Sequence, residues 1–417
     1  FAVARQELMM LFVCDLHVHI GRSGSGRPVK ITAARDLTFE NIAFECATRK
    51  GIDVVGIVDC ASPPVLDDIH AMIDSGEMVE QPGGGLRYRD EVTVIPAAEF
   101  ESYEPGGGQS HHVSYFPAVE ALAGFSDEMG RHVSNRELSS LACRMPAVEL
   151  MALAESFGAL FVPAHCFTPH RSPYGACVER MSEMFGDALA RIPAIELGLS
   201  ADSFLADRIG ELAGKTFLSN SDAHSLPKIG REYNIIEMAA PTFEELRRAL
   251  LREGGSGVAA NFGLDPRLGK YHRTFCEECG HTSVSQPPVL KCEACGSAKV
   301  TRGVLDRIVQ IADYDRPRPP AHRPHYQYQV PLQFVPGVGA VTLSKLINRF
   351  GSEMAVLHEA SAEELGQTVG AKLTDLIVRA REGTLPMRAG GGGHYGKVAP
   401  KDTGQLGLPG VTRGDGS

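Results

Sequence analysis

The sequence predicts an α/β protein with a parallel sheet, followed by a small metal-stabilised element and a helical segment. Short apolar runs alternate with longer amphipathic stretches from Leu11 to about residue 255. Such repeated strand-then-helix units are typical of parallel sheets, closed or open. Two Cys-x-x-Cys pairs follow in a Gly- and Cys-rich segment at 256–300, and helical spacing returns between Phe334 and Arg381.

The composition limits the class of protein. A chain of 417 residues with 43% hydrophobic content can bury a large core. No apolar stretch has the length of a membrane span and the N-terminus lacks a signal pattern, so we predict a cytoplasmic protein with no membrane partner. The net charge of −10 argues against nucleic acid, but residues 301–417 carry more basic than acidic side chains, and local patches matter more than the total.

Seven apolar runs are predicted strands, and a run at 233–238 is a candidate for an eighth. The seven lie at 11–16, 53–58, 92–97, 112–116, 159–164, 193–197 and 215–219. Thr38–Lys50 and Ala147–Phe157 have helical apolar spacing between these runs. Gly51 and Gly158 stand where glycine commonly ends a helix.

Nearly every predicted strand begins or ends with a side chain that can bind a metal. These are the pairs His17/His19 and Asp222/His224, together with Asp59, Glu99, His111, His112, His165 and Glu196. Alternate residues of an extended segment point to one side, and the carboxyl ends of barrel strands converge on one mouth. A lone histidine is more often structural. A converging set of imidazoles and carboxylates without a cation would suffer repulsion or desolvation. The set therefore predicts Zn, Mn or Fe binding and phosphoester hydrolysis.

These strand-end motifs resemble those of the PHP (polymerase and histidinol phosphatase) superfamily of metal-dependent phosphoesterases. Several longer stretches resemble the endonuclease Q family more closely. They are His111-His112-Val-Ser-Tyr-Phe-Pro, Val-Pro-Ala-His165-Cys-Phe-Thr-Pro, Ala-Ile-Glu196-Leu-Gly-Leu-Ser, Leu-Ser-Asn-Ser-Asp222-Ala-His224-Ser and Gly-Lys270-Tyr271-His272. The resemblance covers about residues 10–400 and implies a PHP-type distorted (β/α)7 barrel.

The resemblance implies a DNA repair endonuclease. It would hydrolyse the phosphodiester 5′ to deaminated bases (uracil, hypoxanthine, xanthine) or to abasic sites with metal-activated water. One metal would be held by His17, His19, Glu99 and Asp222. A second ion or the substrate phosphate would be held by Asp59, His112, His165 and His224.

Three details of this set are specific to the chain. Many PHP enzymes carry a third-metal histidine where this sequence has Arg22, Ser23 and Ser25, so we expect two divalent ions, which could be Zn, Mn or Mg. The usual Asp-His of the second motif is Asp59-Cys60, and either residue could ligate. Of the adjacent histidines 111 and 112, only one can face the cleft from a strand, and we predict His112.

The four cysteines Cys276, Cys279, Cys292 and Cys295 form two Cys-x-x-Cys pairs that are separated by 12 residues. This spacing is a strong signal for tetrahedral zinc, whereas redox chemistry would not need two matched pairs. One structural zinc would replace the core that so short a segment cannot build.

A helix-hairpin-helix is predicted at Pro336-Gly337-Val338-Gly339 and the helix that follows, in which backbone N–H groups face a DNA phosphate. The predicted DNA-binding residues are Arg22, Lys270, Tyr271, His272, Gly337, Gly339 and Lys345. A plain helical protein-contact domain and, at 269–273, a solvated loop are the alternatives. The expected partner is damaged DNA, and a replication or repair clamp is a candidate protein partner.

We therefore predict a PHP barrel at 1–255, a four-cysteine element at 256–315, a helical DNA-binding domain at 316–399 and a flexible tail at 400–417, with the glycine run Gly390–Gly393 also flexible. Two other functions fit parts of the sequence. A small-molecule phosphomonoesterase would use the barrel alone. A non-catalytic DNA-binding scaffold would have lost the barrel metals.

Overall fold

The protein is described by a computed structural model over residues 8–398. The predicted flexible tail at 400–417 lies outside the described residues. Across the described range, the helices lack the combined length and apolar character that crossing a membrane requires.

The barrel domain is built on strands that cover every predicted apolar run, together with three strands, at 78–80, 86–88 and 257–263, that were not predicted. These are β1 (Met10–Val18), β2 (Val54–Ile57), β3 (Met78–Glu80), β4 (Leu86–Tyr88), β5 (Val92–Tyr103), β6 (Gln109–Tyr115), β7 (Leu160–Pro163), β8 (Ala194–Glu196), β9 (Thr216–Leu218), β10 (Tyr233–Met238) and β11 (Gly257–Gly263).

Within residues 8–398, seven of these strands close into a ring in the order β1, β2, β5, β6, β7, β8 and β9. Regular pairing joins β1 to β2, β2 to β5, β5 to β6, β6 to β7 and β8 to β9. Two backbone contacts complete the ring. Cys166 N donates to Glu196 O at 2.9 Å, and Val18 bridges Ala223 in the parallel sense. The predicted distorted seven-stranded α/β barrel is confirmed.

The sheet is mixed, so the expected parallel pairing holds for only part of the ring. β6 runs antiparallel to both β5 and β7. The connection from β5 to β6 at 104–108 is too short for the crossover that a parallel pair needs, which takes about a dozen residues or more. β10 pairs antiparallel with β1 and carries β11 outward from the ring.

Helices cover the outside of the ring and then form the C-terminal part. They are α1 (Phe39–Glu45), α2 (Pro63–Asp74), α3 (Val119–Met129), α4 (Ala147–Ser156), α5 (Met181–Phe185), α6 (Ser203–Ala206), α7 (Phe243–Leu251), α8 (Val304–Ile311), α9 (Ala340–Phe350), α10 (Glu353–His358), α11 (Ala362–Val369) and α12 (Ala371–Arg381). Thr38 accepts a hydrogen bond from Asn41 N at the start of α1. The wider turn Cys46–Lys50 continues α1 and ends at Gly51, whose φ of 73° is the left-handed conformation that glycine adopts readily.

Two apolar clusters fill the barrel domain. The inner cluster takes a buried side chain from every strand of the ring: Leu16, Val54, Ile95, Val113, Val162, Ala194 and Leu218. Phe243 and Leu246 of α7 join this cluster. The second cluster lies between strands and helices and extends into the helical domain through residues such as Leu346 and Ile377. Apolar packing therefore fills the ring below the strand ends where the predicted ligands gather.

Short strand pairs organise the rest of the chain. They are β12 (Phe275–Cys276) with β13 (Val300–Thr301) in the cysteine element, β14 (Tyr326–Tyr328) against β11, and the C-terminal hairpin formed by β15 (Met387–Arg388) and β16 (Lys397–Val398).

A buried ion pair joins the barrel to the helical domain. Lys50 Nζ lies 2.7 Å from Glu353 Oε1 and donates to Pro227 O at 2.8 Å, and the Lys50 side chain is 1% exposed. Replacing Lys50 with Met leaves the Glu353 carboxylate buried without its partner. We expect the free energy of unfolding, measured in urea, to fall by about 3–5 kcal/mol.

The matched control is Arg89→Met, which breaks the exposed pair between Arg89 and Glu77. Exposed pairs contribute little, so this variant should unfold almost as the parent does. Equal destabilisation of the two variants would contradict a special contribution from the buried pair.

Candidate metal centre

The end of β1 directs two imidazoles at one point. The pairing of β1 with β2 shifts register between Asp15 and Val18, an irregularity of the kind that re-aims side chains. The Nε2 atoms of His17 and His19 lie 3.2 Å apart. Carboxylates hold the other nitrogen of each ring. His17 Nδ1 lies 2.9 Å from Glu196 Oε2, and His19 Nδ1 lies 3.1 Å from Asp59 Oδ1. This is the arrangement that orients metal-binding histidines in proteins.

Glu99 of β5 lies at the centre of the cluster. Its Oε1 is 3.4 Å from His17 Nε2, 3.0 Å from His111 Nδ1 and 3.6 Å from His165 Nε2. Its Oε2 is 3.2 Å from Lys30 Nζ. Among residues 8–398, the buried Oε1 atom lacks a well-aligned hydrogen-bond donor, which suits an oxygen that binds a cation.

Asp222 and His224 close the cluster from the segment after β9. Asp222 Oδ1 lies 3.3 Å from His19 Nε2 and 3.5 Å from His224 Nδ1. The rings of His19 and His224 are 4.5 Å apart between centroids. Asp222 has a φ of 45°, a left-handed conformation that is uncommon for a residue other than glycine.

The cluster is electrostatically coupled. Burial alone would raise the pKa of Glu99, but His111, Lys30 and His19 hold it well below its usual value. Burial likewise opposes ionisation of Asp222, yet the hydrogen bond from His19 and the charges of the histidines around it lower its pKa well below the usual range. The carboxylates are therefore ionised at neutral pH, the state that metal binding requires.

Metal ions fit this donor set. Three overlapping groups of ligand atoms each lie within 4.8 Å of one another: His17, His19 and Glu99; His19, Asp222 and His224; and Glu99, His111 and His165. Imidazole nitrogens and carboxylate oxygens in this mixture suit Zn or Mn.

Two predicted ligands lie elsewhere. His112 points away from the cleft and contacts the hydroxyl groups of Ser102 and Ser110 at 3.1 and 2.8 Å, with its ring stacked on Phe161. Burial and the neighbouring His111 lower its pKa to about 3, so the ring is neutral. Because alternate strand residues face opposite sides, His111 faces Glu99 instead, and the choice of His112 is wrong.

At the second motif, neither alternative ligand joins the cluster. Asp59 lies behind His19, where it accepts hydrogen bonds from the Ile20 N–H at 2.6 Å and from the Ser139 hydroxyl. Cys60 is fully buried, and its thiol donates to Ile57 O at 3.1 Å. Asp59 therefore orients a ligand, and Cys60 packs in the core.

Several further residues support the cluster. Glu196, which the sequence places among the potential ligands, orients a ligand instead. Glu196 holds His17 and also accepts from Asn220 Nδ2 at 2.7 Å and from the His165 N–H at 3.2 Å. The signal was a carboxylate within the apolar strand β8, because a buried charge requires partners. Lys30 and Ser140 both contact Glu99, and neither is among the predicted site residues.

The four cysteines form a second metal group. Cys276 Sγ lies 3.6 Å from Cys295 Sγ, and Cys279 Sγ lies 3.6 Å from Cys292 Sγ, with all four sulfurs within 4.8 Å. Tetrahedral zinc with bonds of about 2.3 Å places sulfurs about 3.8 Å apart. The spacing fits one ion rather than two disulfides.

The residues predicted to contact DNA are divided between surface and interior. Arg22 donates to Gly26 O at 2.9 Å in its loop, and the Tyr271 ring contacts His170 edge to face at 5.5 Å. Lys270 Nζ lies 4.7 Å from the centroid of the Tyr395 ring. His272 is 6% exposed, and burial lowers its pKa to about 4. Contrary to the prediction, its buried ring is not available to contact DNA.

The predicted Pro336–Gly339 segment is a turn that leads into α9, and the three-residue helical turn Leu332–Phe334 precedes it in place of a full helix. Gly337 has a φ of 95°, and Gly339 precedes the first residue of α9. Gly370, with a φ of 82°, takes the equivalent place before α12. Lys345 of α9 donates to Thr368 O at the end of α11, so its ammonium links these two helices.

Comparison with known proteins agrees with this architecture. Residues 203–254 match the family described as PHP-associated. Uncharacterized protein YqxK of Bacillus subtilis is 44% identical over 394 residues, 94% of this chain and 100% of that protein. The crystal structure of the lesion-specific endonuclease PfuEndoQ from Pyrococcus furiosus superposes with a TM-score of 0.79 at 31% identity, and the match covers 93% of this chain and 95% of that one.

A second structure gives the same result. Endonuclease Q in complex with a 27-mer duplex that carries an abasic lesion at the active site has a TM-score of 0.79 and 31% identity, with 93% of this chain and 96% of that chain covered. The similarity extends over nearly the full length of both proteins and so includes the barrel, the cysteine element and the helices. The chain belongs to the endonuclease Q family.

Proposed function

We propose that this protein is a DNA repair endonuclease that hydrolyses the phosphodiester 5′ to a deaminated base or an abasic site. The observation that carries the proposal is the convergence of histidine and carboxylate groups at one barrel mouth, in a chain that also has a cysteine element and helical hairpins. A phosphomonoesterase acting on small molecules would need neither the cysteine element nor the helical hairpins.

Two ions fit the mouth better than one. His17 and His19 each have one ring nitrogen held by a carboxylate, so each offers a single Nε2. Together with Asp222 they provide one site, next to His224. His111 and His165 would provide a second site, and the Glu99 carboxylate lies beside both sets of histidines. When bound, such ions polarise a phosphate and lower the pKa of water.

The protein residues supply positioning and charge. Lys30, whose side chain is 12% exposed beside Glu99, adds a positive charge near the place where phosphate charge would develop. His224 is 28% exposed at the mouth, and burial and its neighbour His19 lower its pKa to about 4, so its neutral ring can hydrogen-bond to a phosphodiester. Water would supply the oxygen of a new P–O bond while the P–O3′ bond breaks. The 3′ oxygen takes up a proton, which leaves 3′-hydroxyl and 5′-phosphate ends.

Lesion selectivity would come from the energy of extruding a nucleotide. Reaching the buried ligands requires the target nucleotide to leave the duplex stack, and this costs least where pairing is weak or missing. The Gly339 and Gly370 turns would hold the flanking phosphates through backbone N–H groups, without regard to sequence.

The decisive test is cleavage of duplexes that contain one uracil, hypoxanthine or abasic site, with Mg²⁺ or Mn²⁺ present. We expect Asp222→Asn to abolish cleavage, with a loss of about 100-fold or more, and to leave DNA affinity nearly unchanged. Asparagine keeps the side-chain shape and tolerates the left-handed backbone at this position.

Glu237→Gln on β10 is the matched control, since it removes a carboxylate outside the cluster. If lesion-containing DNA stays intact while the protein hydrolyses generic phosphate monoesters, the proposal is overturned in favour of a phosphomonoesterase. If Asp222→Asn is as active as the parent, the cluster takes no part in the reaction.

A further inference from the structure

The glycine run Gly390–Gly393, predicted to be flexible, is packed against the cysteine element. Gly390 N donates to Arg267 O at 2.7 Å, and Gly396 N donates to Leu268 O at 2.9 Å. A Cβ atom on Gly392 would lie 2.7 Å from Phe275 Cε2, so only glycine allows this close approach. The C-terminal hairpin is therefore fixed on the segment that leads into the cysteines.

This docking carries Tyr395 to the barrel. The Tyr395 hydroxyl accepts a hydrogen bond from Arg231 Nη1 at 3.0 Å. The guanidinium carbon of Arg231 lies 5.4 Å from the centroid of the Tyr395 ring, and the Lys270 ammonium lies 4.7 Å from it. Two cations therefore lie close to the ring, which attracts them because of its charge distribution.

Arg231 in turn holds the backbone of the metal centre. Its side chain is buried, with the residue 5% exposed. Its Nε donates to Ser221 O at 2.8 Å and its Nη2 to Asp222 O at 3.3 Å. The peptide that is gripped in this way belongs to Asp222, whose φ of 45° requires support from its surroundings. The rigid fork of an arginine suits this double contact, whereas a lysine cannot reproduce it.

We propose that Tyr395 is a positioning residue for the metal centre. It fixes Arg231, which holds the left-handed Asp222 peptide so that the carboxylate faces His17 and His19. The C-terminal hairpin is then part of the catalytic apparatus, although it lies more than 170 residues beyond Asp222 in the sequence. This inference rests on the proposed metal binding and is independent of which DNA lesion is cut.

Metal affinity tests the inference without any nucleic acid. Mn²⁺ prefers carboxylate and imidazole ligands to thiolates, so titration of the full-length protein followed by electron paramagnetic resonance reports on this centre. We expect Tyr395→Phe, which removes the hydrogen bond and keeps the ring, to weaken Mn²⁺ binding by about 10-fold. Arg231→Lys should weaken it at least as much.

Each control makes the same chemical substitution at a residue away from the metal centre. Tyr103→Phe alters an exposed tyrosine at the end of β5, and Arg247→Lys alters a surface arginine on α7. Both should bind Mn²⁺ as the parent does. Circular dichroism and zinc content should show that Tyr395→Phe stays folded and keeps its cysteine-bound ion.

The outcomes separate the two proposals. Parent-like Mn²⁺ affinity in folded Tyr395→Phe would overturn the positioning role, and so would an equal loss in Tyr103→Phe. A selective loss of affinity supports the role even if damaged DNA stays intact, because that failure would bear on the proposed nuclease function alone.

Discussion

His111→Gln is expected to abolish cleavage of lesion-containing DNA, whereas His112→Gln is expected to retain most of it. The His111 ring reaches the central carboxylate, with 3.0 Å between His111 Nδ1 and Glu99 Oε1, and belongs to a ligand group with His165. Losing a direct ligand should cost at least as much as losing a supporting residue, so we expect a decrease in kcat of about 100-fold or more. The two variants remove the same ring from adjacent residues of one strand, which makes them controls for each other.

The His112 ring packs behind the cleft between two serine hydroxyls and Phe161. Glutamine keeps hydrogen-bonding groups there, and the expected effect is a lower free energy of unfolding, by about 1–3 kcal/mol, with nearly unchanged kcat at a permissive temperature. Thermal unfolding and single-turnover cleavage would separate the two effects. A parent-like rate in His111→Gln together with an inactive but folded His112→Gln would restore the sequence-based choice.

Cys276→Ser is expected to destabilise the cysteine element selectively. Structural zinc contributes on the order of 10 kcal/mol to the folding of small zinc elements, and a hydroxyl group is a poor substitute for a thiolate ligand. We expect the loss of one zinc per chain by elemental analysis and rapid proteolysis within 276–301, while the barrel unfolds near its normal temperature.

Because the C-terminal hairpin lies on this element, Mn²⁺ affinity at the barrel mouth should fall as well. Cys177→Ser is the matched control, since Cys177 is half-buried and lies outside the four-sulfur group. Protease resistance and a full zinc content in Cys276→Ser would contradict a structural metal.

The strands of the ring were predictable because each is a short apolar run that ends in a polar residue. The direction of β6 was not deduced, although the short stretch between Tyr103 and Gln109 excludes a crossover. Recognising a hairpin there would have required knowing that β5 extends as far as Tyr103, well past the predicted end of that run.

The site was predictable as a set and uncertain in its details. His17, His19, Glu99 and Asp222 converge because strand ends converge, which is a property of the fold. Whether His111 faces the cleft depends on the register of β6. Whether Asp59 binds a metal or orients His19 depends on which ring nitrogen of His19 it contacts. Neither can be read from a one-dimensional pattern. The packed role of Gly390–Gly393 was missed because glycine allows both close approach and mobility.

The contact between Val18 and Ala223 that closes the barrel ring has a consequence for the order of events during synthesis. The histidine pair of β1 is made early, but its partners at Asp222 and His224 follow about 200 residues later, roughly 10–40 s at ordinary translation rates. Through that interval a ribosome-bound chain carries β1 with an unpaired edge and an incomplete set of ligands. A nascent chain therefore lacks a complete ligand cluster until the segment that follows β9 has been translated.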